Sequence, residues 1–173
     1  MTRKLAELVH DDGLDLTGAT AVRTAVRGVL LRGSELLLLE SRHGDYKFPG
    51  GGIEAGETPH AALRRELQEE CGLQPVEIGE LFGSAIEYSR AEEAEAEVFK
   101  MTSHYYLCST QEEAFAAQQL DDYERNLQLA PVWIDVTEAL RANTAVQAGG
   151  TGVMRWLARE TQVLTLIHRE LLP

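Results

Sequence analysis

The sequence has few cysteines, no long apolar run and a shortage of positive charge, and each absence excludes a class of protein. Its two cysteines, Cys71 and Cys108, are too few for the disulfide framework of a small secreted domain. No stretch of about 18 apolar residues is present, so we expect no transmembrane helix. Residues 1–13 lack the apolar segment of a secretory signal. We therefore expect a reduced, cytoplasmic protein with no membrane partner.

The charge of the chain restricts its partners. Its 28 acidic residues outnumber 16 basic ones, which gives a formal net charge of −12 at pH 7. Such a surface cannot neutralise many phosphates at once, so we expect no polymeric nucleic acid as a partner. A small anionic ligand remains compatible with this charge if metal ions supply positive charge locally. The 173 residues are enough for one globular domain, and we expect residues 1–173 to form a single domain.

Strand-like and helix-like patterns alternate along the chain, which predicts a mixed α/β protein. One helix is predicted over 59–71, with Thr58 as its N-cap and Gly72 directly after its last residue. A second is predicted over 153–172, where apolar residues recur at helical spacing. The acidic run 91–97 predicts a solvated loop. The predicted strands cover residues 21–31, 35–40, 46–48, 76–88, 102–108 and 132–136.

The stretch RRELQEE, residues 64–70, crowds three glutamates onto the first predicted helix. Glu66, Glu69 and Glu70 stand at i, i+3 and i+4, so their carboxylates share one face, where each i,i+4 like-charge pair costs about 0.2–0.5 kcal/mol. They adjoin an apolar stripe that includes Leu63 and Leu67, and we expect half-exposed carboxylates at the lip of a cleft. Clustered carboxylate oxygens suit a hard cation, Mg²⁺ above all, and the absence of paired His or Cys nearby argues against zinc.

A glycine run precedes this helix. Gly50, Gly51 and Gly52 follow Phe48 and Pro49 and allow the backbone to turn sharply. Taken alone, the run is typical of an ordinary turn. Beside the acidic helix, we expect it to leave room for a bulky anionic group.

Taken together, residues 51–73 resemble the signature of the Nudix hydrolases, G-x5-E-x7-R-E-U-x-E-E-x-G-U, where U is a bulky aliphatic residue. A given window matches this pattern by chance with a probability on the order of 10⁻⁸ or less. The resemblance implies an α/β/α sandwich with a mixed central sheet and a loop–helix–loop site. All nine specified positions are filled, by Gly51, Glu57, Arg65, Glu66, Leu67, Glu69, Glu70, Gly72 and Leu73.

The resemblance also implies an activity. Such enzymes hydrolyse a pyrophosphate bond in a nucleoside diphosphate linked to another group, X, with water that Mg²⁺ or Mn²⁺ activates. The metal ligands would be Glu66, Glu69 and Glu70, with Glu57 as a frequent helper. Arg65 would orient one of these carboxylates during catalysis.

The general base is less well defined, because members of the family differ in which glutamate serves. Candidates within the signature are Glu69 and Glu70, of which we favour Glu69. Glu97, Glu112 and Glu113 are candidates outside it.

Substrate contacts are expected from the glycine run, Gly50 to Gly52, and from Lys47, which precedes it. Arg90 and Arg27 are further candidates for contacts with phosphate oxygens. Nucleoside triphosphates, ADP-ribose, nucleotide sugars and dinucleoside polyphosphates all fit the signature, and specificity is expected to lie in residues 84–128. Homodimers are common in the family, so a homodimer is compatible with the resemblance.

A Nudix-fold module that binds or senses a nucleotide without turnover is the alternative. The complete set of acidic residues favours the enzyme, because a binding module has no need to keep every metal carboxylate.

Overall fold

The computed structural model describes residues 2–150 and 152–172, which form a mixed seven-stranded sheet with helices on both faces. The helices are α1 (Pro59–Cys71), α2 (Asp122–Leu127), α3 (Val136–Gly149) and α4 (Trp156–Leu171). The strands are β1 (Lys4–Val9), β2 (Thr20–Arg32), β3 (Glu35–Glu40), β4 (Tyr46–Lys47), β5 (Glu77–Arg90), β6 (Val98–Ser109) and β7 (Ala130–Asp135). Within this described part of the chain, no helix has the length and apolar character needed to span a bilayer.

The strand order is β1-β5-β6-β2-β3-β4, and β7 pairs with β3. The β1–β5 and β2–β6 pairs are parallel, whereas the other pairs are antiparallel. Since β7 pairs with β3 from end to end, β2 and β4 share the opposite edge of β3. The backbone after β4 then runs along β2, where the Val26 N–H donates to the Gly51 carbonyl at 2.9 Å. This path brings the glycine run to the middle of the sheet.

The leucine run of β3 is buried on both faces of the sheet. Leu36 and Leu38 belong to a core formed with α3 and α4, whereas Leu37 and Leu39 belong to a second core formed with α1. All four leucines are fully buried. Successive side chains of a strand point to opposite faces, so one apolar run fills both cores. The predicted α/β/α sandwich with a mixed central sheet is therefore confirmed.

Helix α1 has the predicted boundaries. The Thr58 hydroxyl accepts a hydrogen bond from the Ala61 N–H at 3.2 Å, which caps the first turn. Gly72 has φ +62°, the left-handed conformation that ends many helices, and its N–H donates to the Gln68 carbonyl at 2.9 Å. The predicted helix over 59–71 is confirmed at both ends.

Three elements were not predicted from the sequence: β1, α2 and α3. Strand β1 is short and exists through its parallel pairing with β5, a contact distant in sequence. Helix α2 has only six residues and begins with a capping box, in which Asp121 and Glu124 each accept the backbone N–H of the other. The predicted helix over 153–172 begins later than expected, at Trp156.

Replacement of Gly72 tests how the helix end is fitted to the loop that follows. An added Cβ would lie 2.3 Å from the Ala116 carbonyl oxygen and would occupy a left-handed conformation. We expect Gly72→Ala to lower the free energy of unfolding by about 1–2 kcal/mol through backbone strain and by about 1–3 kcal/mol more through the steric clash. Urea denaturation measures the loss.

Gly56→Ala is the matched control, because Gly56 has φ +84° and no atom within 4 Å of an added Cβ. This variant carries the strain without the clash. Equal losses in the two variants would show that the contact with Ala116 has no energetic importance.

Candidate active site

The acidic face of α1 borders a cleft of about 580 Å³, called here the acid cleft. Its walls come from β2, the glycine run, α1 and the segment that contains α2. Among the residues that line it are Arg23, Arg27, Lys47, Gly50, Gly51, Gly52, Arg65, Glu66, Glu69, Tyr123 and Glu124. These residues lie up to about a hundred positions apart in the sequence, and the fold brings them together.

Arg65 contacts three of the acidic residues of the signature. Its Nε and Nη2 donate to the two carboxylate oxygens of Glu57 at 2.8 and 2.9 Å. Its Nη1 donates to Glu66 at 2.8 Å and to Glu69 at 3.3 Å. The hydrogen bonds from Arg65 lower the pKa of Glu57 to about 2, and those contacts in turn raise the pKa of Arg65. The guanidinium therefore fixes the acidic residues relative to one another.

Glu70 is fully buried, which corrects the expectation of a half-exposed carboxylate. One of its oxygens accepts the Gly50 N–H at 2.5 Å, and the other lies 3.4 Å from the Lys47 Nζ. Burial raises the pKa of Glu70 to about 7, against the opposing effects of Lys47 and the Gly50 N–H. Glu70 is buried rather than half-exposed because β4 and the glycine run cover this part of α1.

Glu66 is also largely buried, with 8% of its surface exposed, and burial raises its pKa. Of the three glutamates, Glu69 alone fits the expected half-exposed position, with 38% of its side chain exposed. The helical spacing placed the three residues on one face, but the depth of each depends on what covers that face.

A third carboxylate joins Glu66 and Glu70 from outside the signature. Carboxylate oxygens of Glu66, Glu70 and Glu124 all lie within 4.8 Å of one another. Three carboxylate oxygens without nitrogen or sulfur donors suit Mg²⁺ or Mn²⁺. Two of these groups have pKa values raised by burial, so a cation between them would offset both their mutual repulsion and their lost hydration. The residues present therefore fit a divalent metal ion.

Glu124 was missed in the sequence because it lies in the polar segment after β6. The signal that could have located it is the pattern Asp-x-x-Glu over residues 121–124, which is typical of a helix start. That pattern predicts a helix but gives no indication that this helix faces α1.

The glycine run has a packing role in addition to the ligand contact expected from the sequence. A Cβ on Gly51 would lie 2.4 Å from a carboxylate oxygen of Glu66. Gly50 has φ +133°, and a Cβ there would lie 2.1 Å from the Val26 carbonyl oxygen. The space beside these two residues is thus filled by Glu66 and by β2. The glycines therefore let the turn pack closely on α1 and β2, and Gly50, Gly51 and Gly52 also line the acid cleft.

Several of the candidate residues lie outside the acid cleft. Arg90 is at the end of β5, where its backbone N–H donates to Asp11 at 2.8 Å, and it lines a separate hollow together with Glu97. Because β6 separates β5 from β2 in the sheet, the fold does not bring Arg90 to the acid cleft. Glu112 and Glu113 are exposed and do not line the cleft as the described residues define it.

Comparison with known proteins agrees with this arrangement. A sequence model of the NUDIX domain matches residues 21–157, which is most of the chain. The chain therefore belongs to the NUDIX domain family. A NUDIX hydrolase from Nitrosomonas europaea has a similar fold, with a TM-score of 0.52 and 18% identity over 84% of this chain and 90% of that one.

Two curated relatives match part of the chain. The RNA pyrophosphohydrolase of Sulfurovum sp. (strain NBC37-1) is 43% identical over 72 residues, which cover 40% of this chain and 46% of that protein. The RNA pyrophosphohydrolase of Halorhodospira halophila (strain DSM 244 / SL1) is 56% identical over 36 residues, or 21% of this chain and 20% of that protein. The chain spans less than half the length of these curated relatives.

The burial of Glu70 predicts a pH dependence of stability in metal-free protein. The folded state keeps Glu70 protonated up to about pH 7, whereas an unfolded chain releases the proton near the ordinary value of 4.5. The folded state therefore binds more protons between these values, and stability should fall as pH rises through this window, by about 3 kcal/mol. Urea denaturation in EDTA from pH 4.5 to pH 7.5 measures this change.

Glu70→Gln should show a smaller decrease, because glutamine does not ionise and still offers an oxygen to the Gly50 N–H. Glu69→Gln, on the exposed side of α1, is the control and should keep the parent's decrease. A parent-like decrease in Glu70→Gln would contradict the assignment to Glu70.

Proposed function

We propose that this protein hydrolyses the pyrophosphate bond of a nucleoside diphosphate linked to another group, with Mg²⁺ bound by Glu66, Glu70 and Glu124. The observation that carries the proposal is the meeting of these three carboxylates within 4.8 Å beside a cleft lined by basic residues. Membership of the NUDIX domain family supports the same reaction. Mn²⁺ has similar ligand preferences and is a second suitable ion.

The charges of the cleft suit a polyphosphate. Lys47, Arg23 and Arg27 line the same cleft as the acidic residues, so a phosphate chain can lie between the two sets. When bound, the metal ion supplies positive charge to the phosphate oxygens and lowers the pKa of the attacking water. Lys47 already lies 3.4 Å from Glu70, and we assign it to a phosphate oxygen next to that carboxylate.

We assign the general base to Glu69. Its carboxylate is the most exposed of the three on α1, and its contact with Arg65 is the longest, at 3.3 Å. It therefore has free lone pairs that can take a proton from water. Arg65 is proposed as a positioning residue that holds this carboxylate and that of Glu66.

Glu57 is assigned an indirect role at the metal. Both of its oxygens accept hydrogen bonds from Arg65, and it lies outside the group of three carboxylates that meet. We propose that it fixes the orientation of Arg65, and through Arg65 the orientation of Glu66.

The proposed substrate is a small nucleotide derivative. The relatives named RNA pyrophosphohydrolase support pyrophosphate hydrolysis as the reaction. An RNA polymer is less suited to this chain, because a net charge of −12 opposes contacts with many phosphates along a strand.

We further propose a single domain in a reducing, cytoplasmic setting. The N-terminal β1 and the C-terminal α4 pack together on the same sheet, which joins the two ends of the described chain. Cys71 and Cys108 are both free thiols, as a reducing compartment would leave them.

Replacement of Glu69 tests the assignment of the general base. Glu69→Gln keeps the size of the side chain and removes its basicity, so we expect kcat to fall by a factor of about 100 or more. The assay measures phosphate or nucleoside monophosphate released from a panel of nucleoside di- and triphosphate derivatives with Mg²⁺. Glu113→Gln, an exposed change outside the cleft, should keep parent activity. A rate within threefold of the parent would exclude Glu69 as the base.

Thermal unfolding tests the metal site without any need for turnover. Mg²⁺ or Mn²⁺ bound to the native state should raise the melting temperature, since a ligand at 100 times its Kd stabilises by about 2.7 kcal/mol. The double variant Glu66→Gln, Glu124→Gln should lose this increase, and Glu113→Gln should keep it. If the double variant kept the whole increase, the ion would bind elsewhere, for example along the acidic loop at 91–97.

A further inference from the structure

A second hollow of about 320 Å³ adjoins the acid cleft and is called here the second lobe. It is defined by Arg23, Arg27, Phe99, Tyr123, Arg155 and Trp156. Arg23, Arg27 and Tyr123 also line the acid cleft, so the two hollows share a wall. One ligand can therefore extend from the carboxylates into the second lobe.

Aromatic side chains from three separate elements meet at the second lobe. Phe99 comes from β6, Tyr123 from α2 and Trp156 from the first residue of α4. The indole N–H of Trp156 donates to the Tyr123 hydroxyl at 3.1 Å. Because this is the only hydrogen-bonding group of an indole, Trp156 contacts a ligand through its ring alone. The lobe thus offers a flat apolar surface, of the kind on which a planar ring stacks.

The same hollow has unbalanced positive charge. Arg23, Arg27 and Arg155 make no ion pair with any carboxylate of residues 2–150 and 152–172, although the chain has 28 acidic residues. Arg27 is 92% buried, its guanidinium donates to the Gly50 carbonyl, and its Nε has no hydrogen-bond partner. The guanidinium of Arg27 thus carries a charge that no carboxylate of the described residues balances in an ion pair, and an anionic ligand would supply that balance. Arg27 lines both hollows, so the anion belongs at their junction.

The floor of the second lobe is polar. One oxygen of Glu87 lies 3.0 Å from the His10 Nε2, and the other accepts a hydrogen bond from Arg159. Each carboxylate oxygen can accept one more hydrogen bond, so Glu87 can receive N–H groups from the edge of a base. His10 and Arg159, the two partners of Glu87, lie outside residues 21–157, the part of the chain that matches the NUDIX domain.

We propose that the second lobe binds the base of a nucleotide, with the ring of Trp156 as its stacking surface and Arg27 on the phosphate nearest the nucleoside. The remaining phosphates then extend into the acid cleft. This inference rests on the proposed function, because it orients the phosphates that the acid cleft is proposed to cleave. A sugar phosphate or inorganic phosphate would leave the aromatic surface without a partner.

Binding of GMP in metal-free buffer tests the lobe apart from catalysis. The chain has two tryptophans, so Trp133→Phe leaves Trp156 as the only indole, and GMP should quench its fluorescence. By calorimetry, Trp156→Ala should weaken GMP binding about tenfold or more, the usual effect of losing one stacked base. Trp156→Phe retains a ring and should keep most of the affinity, and Trp133→Phe should bind as the parent does.

Ligands that lack one part of GMP identify which group each side chain recognises. Ribose 5-phosphate should bind about tenfold or more weakly than GMP, because it has no base to stack. Arg27→Gln should weaken GMP binding and leave the affinity for guanosine unchanged, with thermal melts to confirm that the variant is folded. Parent-like GMP binding by Trp156→Ala, or equal affinity for ribose 5-phosphate and GMP, would overturn the proposal.

Binding and turnover together distinguish an error in the proposed function from an error in this inference. A protein that binds GMP through Trp156 but hydrolyses no nucleotide would contradict the enzyme and support the lobe. An active enzyme whose KM for nucleotides is the same in Trp156→Ala and in the parent would support the enzyme and overturn the lobe.

Discussion

The buried carboxylate of Glu70 holds together the parts from which the acid cleft is made. It accepts the Gly50 N–H from the glycine run and lies beside the ammonium group of Lys47 from β4. Two neighbouring residues of α1 contact the same turn: Arg65 donates to the Gly52 carbonyl at 3.1 Å, and Glu66 packs directly against Gly51. Burial of a carboxylate is unfavourable, and the contacts of Glu70 offset only part of the lost hydration, as the raised pKa shows. The site is thus built on a charge that the fold alone does not fully stabilise.

A second buried carboxylate supports the same turn from the opposite face of the sheet. Glu160 of α4 accepts the Phe48 N–H at 2.7 Å, and it is itself bound by Arg159 and by the Tyr105 hydroxyl. The backbone at Phe48 is therefore fixed by α4 and the backbone at Gly50 by α1. A strand of only two residues, β4, has little pairing of its own, so these two hydrogen bonds add to the backbone hydrogen bonds that join the turn to β2. The ion pair of Arg159 with Glu87 then links this support to the floor of the second lobe.

The regular parts of the fold follow from local patterns. The limits of α1 were predicted because Thr58 and Gly72 act within one turn of the helix, and β3 was predicted because an apolar run between turns favours a buried strand. Strand β1 and helix α2 could not be predicted in the same way. β1 depends on a parallel partner almost eighty residues away, and α2 is too short for helical periodicity to be visible. Strand order is likewise not visible in the sequence, so Arg90 was predicted as a ligand contact although β6 separates β5 from β2.

The sequence by itself determined the acidic face of α1 and the family, because the spacing of Glu66, Glu69 and Glu70 is a local property of one helix. Tertiary structure alone decided which of these carboxylates are buried, since burial depends on the turn and the sheet that cover α1. It also decided that Glu124 lies beside Glu66 and Glu70, that Arg65 donates hydrogen bonds to Glu57, and that Arg27 and Trp156 line one hollow. These contacts join residues from separate elements, and their distances depend on packing that no local pattern contains.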